Sequence, residues 1–127
     1  MALLPDVCAA LGDERGAAKL YGLLEPFERL YTLAPIEAVF GAMARGLGVL
    51  ATALRRYDDA ERHLKTAIDL ERHMGARPWL AHAQHDLAAM LVARGDSGRA
   101  RPHLEDALKT YRELGMDTWA VRAGALA

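Results

Sequence analysis

Apolar residues recur every three or four positions along most of this chain. Between Tyr57 and Met74, the residues Tyr57, Ala60, Leu64, Ala67 and Ile68 share one face, and Arg62, Lys65, Asp69 and Arg72 take the other. Trp79 to Arg94 carries Leu80, Ala83, Leu87, Met90 and Leu91 on a stripe, and Ser97 to Leu114 carries Ala100, Leu104, Ala107, Leu108 and Tyr111. This spacing is that of a helix with one buried face. The punctuation agrees. Gly75 and Gly115 follow helical runs, where a left-handed residue ends a helix. Gly95-Asp96-Ser97-Gly98 makes a tight turn with Asp96 or Ser97 as N-cap. Pro78 suits a first helical turn, whereas Pro102 predicts an irregular first turn or a late start. The pattern predicts helices over 3–11, 13–25, 36–54, 57–74, 78–94, 97–114 and 117–126, with Pro26 to Pro35 as a connection.

The pattern also repeats. At an offset of 40, Leu47 falls on Leu87, Gly48 on Ala88, Ala60 on Ala100, His63 on His103, Leu64 on Leu104 and Ala67 on Ala107. Arg72, Gly75 and Trp79 fall on Arg112, Gly115 and Trp119. A fainter copy lies upstream at an offset of 43, where Gly12, Ala17, Tyr21 and Leu24 match Arg55, Ala60, Leu64 and Ala67. Small residues recur where paired helices must approach closely, and leucines recur where neighbouring pairs meet. One such pair cannot cover its own apolar face, so pairs must stack.

Composition narrows the class. The chain has 127 residues, and 45 of them are Ala or Leu against 12 Val, Ile and Thr, a bias toward helix over sheet. Sixteen basic and 17 acidic residues leave a net charge of −1, which argues against direct nucleic-acid binding and gives no sign of a membrane-surface partner. The single cysteine, Cys8, excludes an internal disulfide framework and reads as packing. The apolar run Gly46 to Leu54 is nine residues, short of the ~20 that span a bilayer. The N-terminus has no basic region ahead of its apolar stretch, and Asp6 interrupts that stretch, so it does not read as a signal peptide. A cytoplasmic setting is the expectation.

Leu47-Gly48, Ala51, Arg55, Tyr57, Ala60, Leu64 and Ala67, then Leu87-Ala88, Leu91, Gly95, Ser97, Ala100, Leu104 and Ala107, resemble the tetratricopeptide repeat (TPR). Two departures stand out: Arg55 replaces the turn glycine in the first copy, and Ser97 the aromatic in the second. The resemblance implies an all-α fold, a right-handed α-α superhelix of about three TPR-like helix hairpins plus a C-terminal closing helix. It would be one domain over 1–127, with repeats near 1–33, 36–75 and 78–115 and the closing helix at 117–126. From about Leu11 to Met116, most specifically from Gly41 to Arg94, the chain is also similar to the repeat region of large bacterial MalT-like, LuxR-type ATP-binding transcriptional regulators. That likeness implies a non-catalytic protein–protein interaction or adaptor module of a signalling or transcriptional system. The alternative it implies is an effector-sensing segment of a signalling ATPase.

Candidate chemistry is sparse. Gly46-Leu47-Gly48-Val49-Leu50-Ala51 matches a dinucleotide fingerprint, but the glycines fall within a predicted helix with no strand predicted before it, so they read as packing. His82, His85 and Asp86 share a helical face, half of a metal site without a second half. Ser97, the one serine, reads as a cap and not as a nucleophile. No catalytic residue, metal site or cofactor is therefore expected, and the chain does not read as an enzyme. In tetratricopeptide stacks the first helix of each pair lines the concave side. Carried over, that groove is Arg45, Val49, Thr52, His82, His85, Ala89 and Val92, suited to a protein or peptide partner. Trp119, Val121 and Leu126 begin a pair without a second helix, a possible homodimer contact through the C-terminal helix.

Overall fold

A computed structural model describes residues 4–33 and 39–127. The fold is all-α, a row of antiparallel helix hairpins. Helices α1 (Leu4–Leu11) and α2 (Glu14–Leu24) come first, followed by a 3-10 turn over Glu25–Phe27. Then follow α3 (Met43–Ala53), α4 (Tyr57–Met74), α5 (Arg77–Arg94), α6 (Ser97–Glu113) and α7 (Asp117–Gly124). Each helix packs on the next, and α3 also meets α1 and α5. The central helix α5 is buried on two sides through Ala81, Ala83, Leu87, Ala88, Met90 and Leu91, because it is covered by α4 and α6 at once.

Small residues mark the crossings. Ala60, Ala67, Ala88 and Ala107 have no exposed surface, and Ala100 has 2%. The crossing of α3 with α4 is close. A Cβ added at Gly48 would stand 2.4 Å from Leu64 Cγ, closer than any real contact, so only glycine permits this approach. Leu47, Leu64 and Leu87 are fully buried, each contributing roughly 1.5–3 kcal/mol by leaving water.

The turns repeat down to single hydrogen bonds. After α3, Arg56 N–H donates to Ala51 O at 2.8 Å and Arg55 N–H to Thr52 O at 3.0 Å. After α5, Asp96 N–H donates to Leu91 O at 2.8 Å and Gly95 N–H to Val92 O at 2.9 Å. After α1, Asp13 N–H reaches Cys8 O and Gly12 N–H reaches Ala9 O in the same pattern. This turn needs a left-handed residue. Gly95 supplies it at φ +93°, but Arg55 must adopt φ +58° with a full side chain. Asp96 is the N-cap of α6, accepting from Arg99 N–H at 3.3 Å.

Two expectations need correction. The helix expected over 36–54 begins only at Met43. Residues 39–42 instead form a strand β2 (Val39–Ala42), antiparallel to β1 (Tyr31–Leu33), while 36–38 lie outside the described residues. Val39 and Phe40 favour extended backbone and Gly41 disfavours helix, so the local chemistry overrides the repeat register here. A strand therefore does precede the glycine motif. It belongs to a two-stranded antiparallel ribbon, however, and Gly46 and Gly48 lie within α3 facing Pro5 and Leu64. The second correction concerns α6, which starts on time at Ser97 and runs through Pro102 without a break. A proline there forgoes one backbone bond, to the carbonyl of Gly98, and the helix tolerates it.

Candidate partner-binding surface

The first helices of successive hairpins, α1, α3 and α5, line one side of the stack. Between them is a shallow cavity of about 270 Å³ lined by Ala9, Val49, Thr52, Ala53, Asp86 and Ala89. Its walls are largely apolar, and the Thr52 hydroxyl donates to Gly48 O at 2.8 Å, so its proton is already used within α3. Asp86 is its one ionic wall.

Asp86 is not alone. Arg45 Nε donates to Asp86 Oδ2 at 2.6 Å, and Arg45 Nη2 reaches Asp6 Oδ1 at 3.3 Å. The Arg45 guanidinium also lies 6.0 Å from the Trp79 ring centroid. Burial opposes a charge at Arg45, but Asp86 and then Asp6 outweigh it and hold the pKa above its ordinary value. Three helices are thus tied at one cation. The groove residue Arg45 is a tether within the stack, with its charge satisfied from inside.

His82 and His85 lie on the other flank of α5, toward α6 and α7. Tyr111 Oη of α6 is 2.9 Å from His82 Nδ1 and 3.3 Å from His85 Nδ1. With a single proton, the phenol donates to one imidazole and accepts from the other. Trp119 of α7 packs edge-on to His82 at 4.4 Å between centroids, and its ring is stacked beside Tyr111. His82 is 8% exposed, and burial, with Arg45 and His85 nearby, lowers its pKa to about 4. Burial also lowers His85 and raises Tyr111 far above neutrality. The cluster is a neutral hydrogen-bonded core at pH 7. Asp86 turns to Arg45 while both histidines turn to Tyr111, so the three side chains expected to share a face do not converge on one ion.

The seven residues expected to line one groove are therefore divided. Val49, Thr52 and Ala89 share the α1–α3–α5 cavity. Arg45 is a tether, His82 and His85 belong to the aromatic core, and Val92 lines a separate groove beside α6. Trp119 is half-buried against that core, so of the three residues expected at a self-association face only Val121 is strongly exposed, at 74%.

A second polar chain joins the N-terminal hairpin to α4. His63, fully buried, lies with Nε2 2.5 Å from Tyr21 Oη and Nδ1 2.5 Å from Glu28 Oε1. Arg56 covers the Tyr21 ring at 4.4 Å. Burial raises the Tyr21 pKa, which makes this phenol a hydrogen-bond partner and not an activated nucleophile. Its repeat mate His103 is half-buried on α6. Glu71, also buried, accepts the Ala42 N–H at 2.5 Å and so occupies the N-terminus of α3 with a carboxylate. An anion at the glycine motif would meet that negative charge. Sequence reasoning missed Glu71, Asp6 and the Tyr21–His63–Glu28 chain. Only Asp6, a charge inside an apolar run, carried a visible hint.

The tetratricopeptide repeat model matches residues 40–113, more than half of the chain and the stretch from β2 to the end of α6. The chain belongs to the tetratricopeptide repeat family. No curated protein and no solved structure matches it. Tetratricopeptide repeats are in general protein–protein interaction modules that bind protein partners and do no chemistry of their own. Among the described residues, no helix is long and apolar enough to cross a membrane.

Proposed function

We propose that this protein is a non-catalytic adaptor whose α1–α3–α5 face receives a peptide segment of a partner protein. The observation that carries this is the cavity between first helices, apolar on Ala9, Val49, Ala53 and Ala89 with the Asp86 carboxylate at its edge. At about 270 Å³ it matches one or two apolar side chains of an extended or helical peptide, with a basic or N–H group beside Asp86. The likeness of Gly41 to Arg94 to MalT-like regulators supports a bacterial signalling or transcriptional setting, in the cytoplasm. The alternative, a sensor of a small effector, would use the same cavity. Its volume lies just below that of small-molecule sites, about 300–1,000 Å³, so the peptide reading is preferred.

The test is selection of peptides from a random display library on the intact protein. Ala89→Glu alters the cavity wall at a half-buried position. The selected peptides should lose binding to that variant while its thermal midpoint stays near the parent value. Equal binding to both proteins contradicts the assignment. Arg45→Glu is unsuitable for this purpose, because it would set three carboxylates together and loosen the stack itself.

A further inference from the structure

The α1–α3–α5 cavity is walled by matching register positions of successive repeats. Ala9 falls on Thr52 at the offset of 43, and Val49 falls on Ala89 at the offset of 40. These side chains are short, so the stack leaves about 270 Å³ unfilled between its first helices. Asp86 breaks the uniformity. Its counterpart one repeat earlier is Gly46, which faces Pro5, so the repeat register does not call for an acid here. Pairing with Arg45 does not account for it either, because Asp6 reaches the same guanidinium.

One cation and two carboxylates leave a charge of −1 at the cavity's edge. Among the described residues, the other titratable group acting on Asp86 is His85, which burial keeps neutral at pH 7. Burial raises the Asp86 carboxyl against the pull of Arg45, as befits an anion short of compensation. Arg45 Nε takes Asp86 Oδ2 at 2.6 Å. Oδ1 has no hydrogen-bond partner among the described residues, and 25% of the side chain is open to solvent. A single free oxygen suits a point donor better than a guanidinium, whose fork matches two. Lysine joins such a donor to an apolar stem that small walls can cover. We propose that this cavity receives a lysine side chain of the partner segment, its stem against Ala9, Val49, Ala53 and Ala89 and its ammonium donating to Asp86 Oδ1. The proposal rests on the peptide-binding reading of this face and narrows it to one side chain. Acetylation of that lysine removes the charge and releases the partner.

The probes are blocked five-residue peptides with alanines flanking a central lysine, arginine, norleucine or acetyllysine, added to the full chain and read by methyl NMR. The lysine peptide should shift the Ala9, Val49 and Ala89 signals with a Kd on the order of millimolar. It should bind about five- to tenfold more tightly than the norleucine and acetyllysine peptides, and about twofold more tightly than the arginine one. Asp86→Asn keeps an acceptor for Arg45, which Asp6 still neutralises, and should erase the preference over norleucine. Asp6→Asn, at a 40% exposed side chain off the cavity wall, also brings the local charge to zero and should cut that preference by about half. It carries the test if the Asp86 variant does not fold. Four outcomes overturn the proposal: no shifts with the lysine peptide up to about 20 mM; equal affinity for lysine and norleucine; tighter binding of arginine than lysine; or a lysine preference that neither Asn variant reduces. Library peptides that lose binding to Ala89→Glu yet carry no lysine would remove the lysine assignment and leave the peptide reading standing.

Discussion

Positions 42 and 71 in one repeat correspond to 82 and 111 in the next, and the two pairs are joined differently. In the first, Glu71 accepts a backbone N–H from Ala42 at the start of α3. In the second, Tyr111 meets the side chain of His82 in the interior of α5. The cause is where the helix begins. α3 starts after position 42, which leaves a bare N–H for a carboxylate to cap. α5 starts at Arg77, so position 82 has its N–H within the helix and presents a side chain instead. One register thus serves two chemistries: a charged cap in the first repeat and a neutral aromatic box in the second.

The comparison can be broken by removing each handle. Tyr111→Ala should destabilise the fold by about 3–5 kcal/mol, the cost of deleting a fully buried aromatic. Glu71→Ala should cost less, about 1–3 kcal/mol, because it removes the acceptor of the Ala42 N–H and leaves that buried donor unpaired. Urea denaturation midpoints rank the two, and the reverse order would mean that the ribbon and its carboxylate hold more of the stack than the aromatic box.

Next in size is the crossing. Gly48→Ala should cost about 1–3 kcal/mol, since its Cβ would strike Leu64. Its repeat mate Ala88 already carries a Cβ, so Ala88→Gly should cost only about 1 kcal/mol of helix propensity. Calorimetry of both variants shows whether the α3–α4 approach is tighter than the α5–α6 one.

Acid should separate the aromatic box from the α4–α6 ion pairs at Glu61 by about 1–2 kcal/mol. His82 titrates near 4 when folded, below its ordinary 6.5. Between these values the unfolded chain binds a proton that the folded chain refuses. Stability from this site is complete above about pH 6.5 and falls as pH drops toward 4. Glu61, held to about 2 by bonds from Lys65 and Arg99, contributes stability that is lost only below its ordinary 4.5. The aromatic box should therefore weaken first. His82→Gln should shrink the loss between pH 6.5 and 4.5, the remainder belonging to His85 and His103, which burial also lowers, and Glu61→Gln should leave it unchanged in the same urea titrations.

The smallest effect concerns the turns. Arg55→Gly should stabilise the chain by about 1 kcal/mol by relieving a left-handed residue with a side chain, and Gly95→Ala should do the opposite. Thermal midpoints of the pair measure the strain directly.

Much of this architecture was legible in the residues. α4 spans Tyr57–Met74 as its periodicity predicts, and α5 and α6 depart from expectation by one residue each. Period and small-residue register survive translation into structure because they state which face is buried. They do not state which neighbour a polar residue meets. Arg45, Asp86 and Asp6 come from three helices and are joined only by the stacking geometry. His82 reads like a groove residue until Tyr111 and Trp119 close over it. The ribbon was hidden for another reason: the repeat register argued for helix where three local residues argued against it.

The central claim is that successive hairpins cross closely at equivalent small residues. Ala60→Leu and Ala100→Leu, measured by urea denaturation beside the exposed control Lys109→Leu, test it most directly. Both alanine variants should lose about 1–3 kcal/mol while the control stays within about 0.5 kcal/mol of the parent. Alanine variants as stable as the control would contradict the stacked arrangement.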